Sequence, residues 1–215
     1  DLMVRIKLSF FFVFICCIQL SLVAQRDNLP SSRQRDTVHL NSQWQFVTDK
    51  QSEGFKREWY IGVLPNARTV SIPHTWNIED SNQTHYGWAW YQKKINVPAT
   101  YKNKQTIIEF GAINHTAYIY LNGIKVAENI GDGFSKFKVD LTGKLKIGAE
   151  NVLTIAVNND YGKNKVPFGS SFDWPNDGGL IRKVKMIVTN LVAPQEIFVT
   201  PTLHKDSSAT VRIRL

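Results

Sequence analysis

In the stretch SSFDWPNDGGLIRKV, residues 170–184, two carboxylates, an indole and an amide stand just ahead of two glycines. Asp173 offers two acceptor oxygens, Trp174 a flat apolar face, and Asn176 both donors and an acceptor, a set of groups suited to touching a ligand. The same string is also good turn chemistry. Asp and Asn bond nearby backbone, Pro175 fixes φ, and Gly178 and Gly179 accept positive φ values. Residue types alone leave both readings open, with Asp177 assigned to the turn. Other residues are weaker candidates. Trp44, Trp76, Trp88 and Trp90 are expected to pack a core, because aromatic side chains spaced along strands usually do. Tyr86, just before Gly87, belongs to a loop that is a lesser candidate for ligand contact. His39, His74, His85, His115 and His204 show no zinc-type spacing, so no metal site and no cofactor are expected.

The elements that must position these groups are strands. Short alternating segments recur about every ten residues between turn residues, and almost nothing has a sustained helical period, which predicts an all-β sandwich or jelly roll. The candidates are TVHL, WQFV, RTVSI, WYQKKINV, TIIEF, TAYIYL, IKVAE, FSKFKVDL, NVLTIAV and IRKVKMIV. Asn122 and Gly123 separate two alternating runs, the signature of a two-residue hairpin in which both turn positions need positive φ. In NVLTIAV both faces are apolar, which predicts a central strand. From Pro194 onward, EIFVTP and TVRIRL read as the first strands of a second sandwich, because two strands alone cannot stand as a domain.

The chain has 215 residues, 43% hydrophobic and 12% aromatic, enough for one principal domain. Its formal charge is +8. The excess is thinly spread, with local clusters only near Lys93 and Lys183, and no stripe tracks a phosphate backbone; nucleic acid is not an expected partner. Arg5 and Lys7 precede an apolar run of about 15 residues, and Val23 and Ala24 then offer a small-residue cleavage site, the order of a secretory signal peptide. A bilayer span needs about 20 apolar residues, and Gln19 with two serines interrupts this run, so an exported chain without a membrane anchor is expected. Cleavage after Ala24 removes Cys16 and Cys17 and leaves no disulfide framework. The expected organisation is a signal peptide over 1–24, a linker over 25–36, a β-domain over 37–193 and the opening of another over 194–215.

Eight segments then stand in a recognisable order: LNSQWQF, IPHTWN, GWAWYQKKINVP, IEFGAI, AYIYLNGIKVAEN, GDGFSKFKVDLT, GAENVLTIAVNN and GGLIRKV. Over residues 37–192 the chain resembles the amino-terminal sugar-binding domain of glycoside hydrolase family 2, which includes β-galactosidases, β-glucuronidases and β-mannosidases. IPHTWN leans toward the β-galactosidase branch, although Thr75 stands where that branch often has aspartate.

The resemblance implies a galactose-binding-like jelly roll, an immunoglobulin-like sandwich after it, and a separate (β/α)8 barrel carrying both catalytic glutamates. No residue of this chain is expected to be catalytic, since no convincing pair of carboxyls about 5 Å apart is found. The resemblance also implies that the loop ahead of GGLIR reaches the barrel's pocket, with Asp173 accepting hydrogen bonds from adjacent sugar hydroxyls, Trp174 stacking on a sugar face, and Asn176 donating or accepting beside them. The expected partners are carbohydrate and the remaining domains of an exported glycosidase. Two other readings stay open: an autonomous carbohydrate-binding module, and a purely structural sandwich.

Overall fold

The computed structural model describes residues 35–162, 175–193 and 197–214. The expected signal peptide with Cys16 and Cys17, the linker as far as Gln34, Asp173, Trp174 and Pro194 lie outside the described residues. The strands are β1 (Arg35–His39), β2 (Trp44–Thr48), β3 (Arg68–Val70), β4 (Trp88–Val97), β5 (Lys104–Phe110), β6 (Thr116–Leu121), β7 (Ile124–Asn129), β8 (Phe137–Asp140), β9 (Ala149–Asn158), β10 (Val184–Asn190), β11 (Phe198–Leu203) and β12 (Ala209–Arg214). Every segment read as a strand overlaps one.

All pairings are antiparallel. One sheet has the order β1-β10-β5-β8, a second β3-β2-β4-β9-β6-β7, and β11 pairs with β12 alone. The first two sheets face each other as a jelly-roll sandwich and are held by the period-2 pattern of their strands. From the larger sheet come Trp44, Phe46, Tyr91, Ile119, Leu153, Ile155 and Val157; from the smaller come Ile108, Phe110, Val139, Val184, Met186 and Val188, all in one buried cluster. Burial of such side chains stabilises by roughly 1.5–3 kcal/mol each. The two-sided apolar pattern of β9 has the predicted cause, since that strand runs between β4 and β6 at the centre of its sheet. Asn122 (φ 52°) and Gly123 (φ 83°) make the predicted hairpin turn between β6 and β7.

Trp44, Trp76 and Trp90 are fully buried, as core packing requires, and Trp88 is half-buried. Trp90 serves a second cluster on the outer face of the larger sheet, where residues 49–67 fold back as a cover. Phe55 meets Trp90 edge-on at 4.9 Å between centroids, and Tyr60 stacks on Tyr120 at 4.7 Å. Buried Asp49 ties the cover down. Its carboxylate accepts from Glu53 N (2.9 Å), Gly54 N (2.8 Å) and Trp90 Nε1 (3.2 Å).

Three strands are shorter than their sequence segments: β3, which ends at Val70, β8 and β10. Asp132 Oδ1 accepts from Ser135 N at 3.0 Å, bending the chain before β8. Residues 178–183 are held by loop contacts, so β10 begins only at Val184. In β11 and β12 every residue is exposed.

Candidate functional site

The described residues of the stretch quoted first, 175–183, lie in the chain between β9 and β10. Its neck is built from four asparagines brought from four parts of the chain. Asn159 Nδ2 donates to Asn176 O at 2.8 Å, and Asn176 Nδ2 donates back to Asn159 O. Asn114 Nδ2 donates to Asn176 Oδ1 (2.9 Å) and Asp177 O (2.7 Å). Asn77 Oδ1 accepts from Asn159 Nδ2 (3.0 Å) and Gly178 N (2.9 Å), while its Nδ2 faces the carbonyls of Gln83 and His85 at 3.1 Å each. All four side chains are buried, and a buried backbone group needs such a partner where no ladder supplies one. Asn114 and Gly179 also exchange both backbone hydrogen bonds at 2.9 Å as an isolated bridge.

A second chain of contacts fixes the turn from behind. His74 N donates to Leu180 O at 2.9 Å. The Tyr91 hydroxyl, which accepts from the Leu180 N–H, lies 2.6 Å from His74 Nδ1, and His74 Nε2 lies 2.9 Å from Glu79 Oε1. Burial pushes the Tyr91 hydroxyl well above its usual value, so it keeps its proton. Burial also holds the His74 imidazole below 6.5, more than the neighbouring Glu79 offsets. The neutral ring therefore accepts from Tyr91 at Nδ1 and donates from Nε2 to Glu79. Desolvation alone would raise Glu79, but hydrogen bonds from Arg68, His74 and Asn82 carry its carboxyl below 4.5. The outcome is a braced turn.

The sign of the pH dependence follows. A histidine whose folded value is depressed adds stability that is complete above its unfolded value and is lost as pH falls below about 6.5. Glu79, also depressed, adds a loss that starts below about 4.5. The melting temperature is expected to fall between pH 7.5 and pH 5.5, with a flatter dependence over that window in His74→Gln. Parallel thermal scans of the two proteins check this, and identical slopes would refute it.

At the surface beside the neck, Tyr86, Tyr161 and Asp177 come together. The two rings lie 5.1 Å apart, tilted by 37°. A hydrogen bond with Tyr161, then burial and the Asp177 charge, pushes Tyr86 up to about 12. Burial raises the Asp177 carboxyl as well. The group offers aromatic faces and one carboxylate next to the point where residues 163–174 leave and return.

The structure thus treats the candidate residues differently. Asp173 and Trp174 lie outside the described residues. Asn176, expected to reach a sugar, is 1% exposed, and both ends of its amide are used inside the neck. The physical reason is local: the chain narrows there to two adjacent backbones whose polar groups need partners away from water. Asp177, assigned to the turn, keeps its carboxylate half-exposed beside Tyr86. Sequence reasoning missed Asn77, Asn114, Asn159 and Tyr161. Asn77 and Asn159 lie within segments that carry the family resemblance, and only that association could have marked them.

Among the described residues no three His, Cys, Asp or Glu side chains group as ligands for a metal ion.

With this geometry in place, comparison with known proteins identifies the fold. Residues 37–189 match the family described as "Glycosyl hydrolases family 2, sugar binding domain". The chain is 30% identical over 171 residues to a β-glucuronidase of Formosa agariphila, covering 72% of this chain and 17% of that protein. It is 27% identical over 185 residues to a β-galactosidase of Thermoanaerobacter pseudethanolicus, covering 83% of this chain and 24% of that one. The solved β-glucuronidase of an uncultured Clostridium superposes with a TM-score of 0.75 at 28% identity, over 86% of this chain and 35% of its own. The chain therefore spans between 17% and 35% of the length of these relatives, which bear the names of both branches. Sheet order, the buried core and the extent of the match together make this chain a member of the glycosyl hydrolase family 2 sugar-binding domains.

Proposed function

We propose that this domain belongs to an exported retaining glycosidase acting on terminal β-glycosides, β-glucuronides or β-galactosides, and that it lends one wall to the substrate pocket of a barrel it braces. In this reading Asp173 accepts hydrogen bonds from two adjacent sugar hydroxyls and Trp174 lies against an apolar sugar face. Asn176, with Asn77, Asn114 and Asn159, positions them from below. The observation that supports it is the neck itself. The reciprocal hydrogen bonds between Asn159 and Asn176 hold together the two described segments that flank the intervening stretch. A carboxylate in such a place discriminates by leaving an unpaired charge when a hydroxyl is missing.

The test is Asp173→Ala in the full-length enzyme. The expected result is a fall of about tenfold in kcat/KM, or ~1.4 kcal/mol, with normal folding. Aryl β-glucuronide and aryl β-galactoside assayed side by side give the sugar. Unchanged turnover on both would remove the pocket-wall role.

A further inference from the structure

The smaller sheet has an outer face that nothing in the described structure covers, and its register sets side chains there in rows. Lys138 and Lys185 stand directly opposite Glu109 on either side, and Arg35 stands opposite Thr189, which stands opposite Gln105. Between these rows Ile107 and Ile187 form a half-buried aliphatic floor. The result is a shallow groove of about 280 Å³ whose charged lining is Arg35, Lys136, Lys138 and Lys185 against Glu109 alone. Glu109 is 8% exposed and organises the groove from beneath, with Lys185 Nζ at 3.0 Å and Lys136 Nζ at 3.8 Å from its oxygens. Past Lys185 the depression continues over Gly111 to Arg182 and Lys183, on the turn that leads back to the loop neck. Six cations therefore share a continuous surface with Glu109 and with Asp140, which stands opposite Ile107, although these groups come from four separated parts of the chain.

We propose that this face is a second binding site, for an anionic polysaccharide bearing carboxylates or sulfates along its length; the inference rests on the reading of the parent protein as a carbohydrate-processing enzyme. Six cations against the two carboxylates Glu109 and Asp140 leave this face with a net positive charge, which attracts a ligand with regularly spaced negative charge. The floor and the polar groups beside it suit a pyranose chain, whose units present apolar C–H faces, hydroxyls and acids in turn. Ile107 and Ile187 take the first, and Gln105, whose Oε1 accepts from buried Thr189 Oγ1 at 3.2 Å, stands beside them for the second. No Phe, Tyr or Trp lines the groove, which disfavours single-stranded nucleic acid, where bases stack on such rings. The face would hold an acidic polymer while its end reaches the loop region.

The probe is a polygalacturonate oligosaccharide titrated calorimetrically into the 215-residue chain. The expected result is binding that weakens as salt rises from about 50 to about 300 mM, since charges near a surface are screened over that range. Lys136→Gln with Lys138→Gln, both exposed, should weaken it about tenfold. Lys56→Gln with Lys205→Gln removes the same charge elsewhere and should change it by less than about twofold. No binding of the oligosaccharide, equal weakening by both double variants, or equally tight binding of single-stranded DNA of matched charge would each overturn the proposal. Asp173→Ala in the same chain should leave this binding intact, so failure of the pocket-wall reading and failure of the groove register in different measurements.

Discussion

Gly179→Ala lowers the unfolding free energy by about 3–5 kcal/mol, measured by urea denaturation. Gly179 has φ +147°, a conformation that essentially only glycine adopts. A β-carbon there would lie 2.2 Å from His74 O and 3.0 Å from the Tyr91 hydroxyl. The first atom is backbone and cannot swing aside. It belongs to a residue whose own N–H is bonded to Leu180 O at 2.9 Å, so relieving the clash means breaking the turn. Gly62→Ala is the matched control: a β-carbon at Gly62 meets nothing within 4 Å, and its effect should stay within about 0.5 kcal/mol. A Gly179→Ala loss no larger than the Gly62→Ala effect would show that the neck is not the tightly determined element described above.

Asn77→Ala costs about 3 kcal/mol by the same measurement. The side chain is 8% exposed, and its removal leaves Gly178 N without its acceptor and the Gln83 carbonyl without its donor, while Asn159 Nδ2 keeps only Asn176 O and the His85 carbonyl keeps only Trp76 Nε1. Each buried group left unsatisfied costs about 1–3 kcal/mol, and water entering the gap recovers part of the sum. Asn77→Asp separates the two halves of the role. It keeps the acceptor toward Gly178 N but turns a carboxylate oxygen toward two carbonyls, which is tolerable only when protonated. Asn77→Asp should therefore regain stability relative to wild type between pH 7 and pH 4. If Asn77→Ala melted with wild type, the four-asparagine neck would be incidental to the fold.

Sequence patterning reaches far into this fold because β-structure announces itself locally. The alternation in β4 and β9, the Asn122-Gly123 turn and the buried tryptophans each follow from neighbours a few residues apart, and each is where the pattern puts it. The polar neck is of another kind. Asn77 and Gly178 are 101 residues apart, as are no residues a periodicity could connect, and an asparagine in a turn looks the same whether it bonds its own backbone or a distant one. That is why Asn176 read as a ligand group while Asn77, Asn114 and Asn159 drew no notice.

The same distinction governs charge. The linear sequence by itself determined strand identity, hairpin chirality and a thin spread of lysine and arginine. Only pairing β8, β5, β10 and β1 in that order set Lys138, Glu109, Lys185 and Arg35 on one surface, because side chains two residues apart share a face and register alone decides which strands' faces adjoin. Local propensity makes the strands; long-range hydrogen bonding chooses their neighbours, and both the loop neck and the cationic groove are products of that choice.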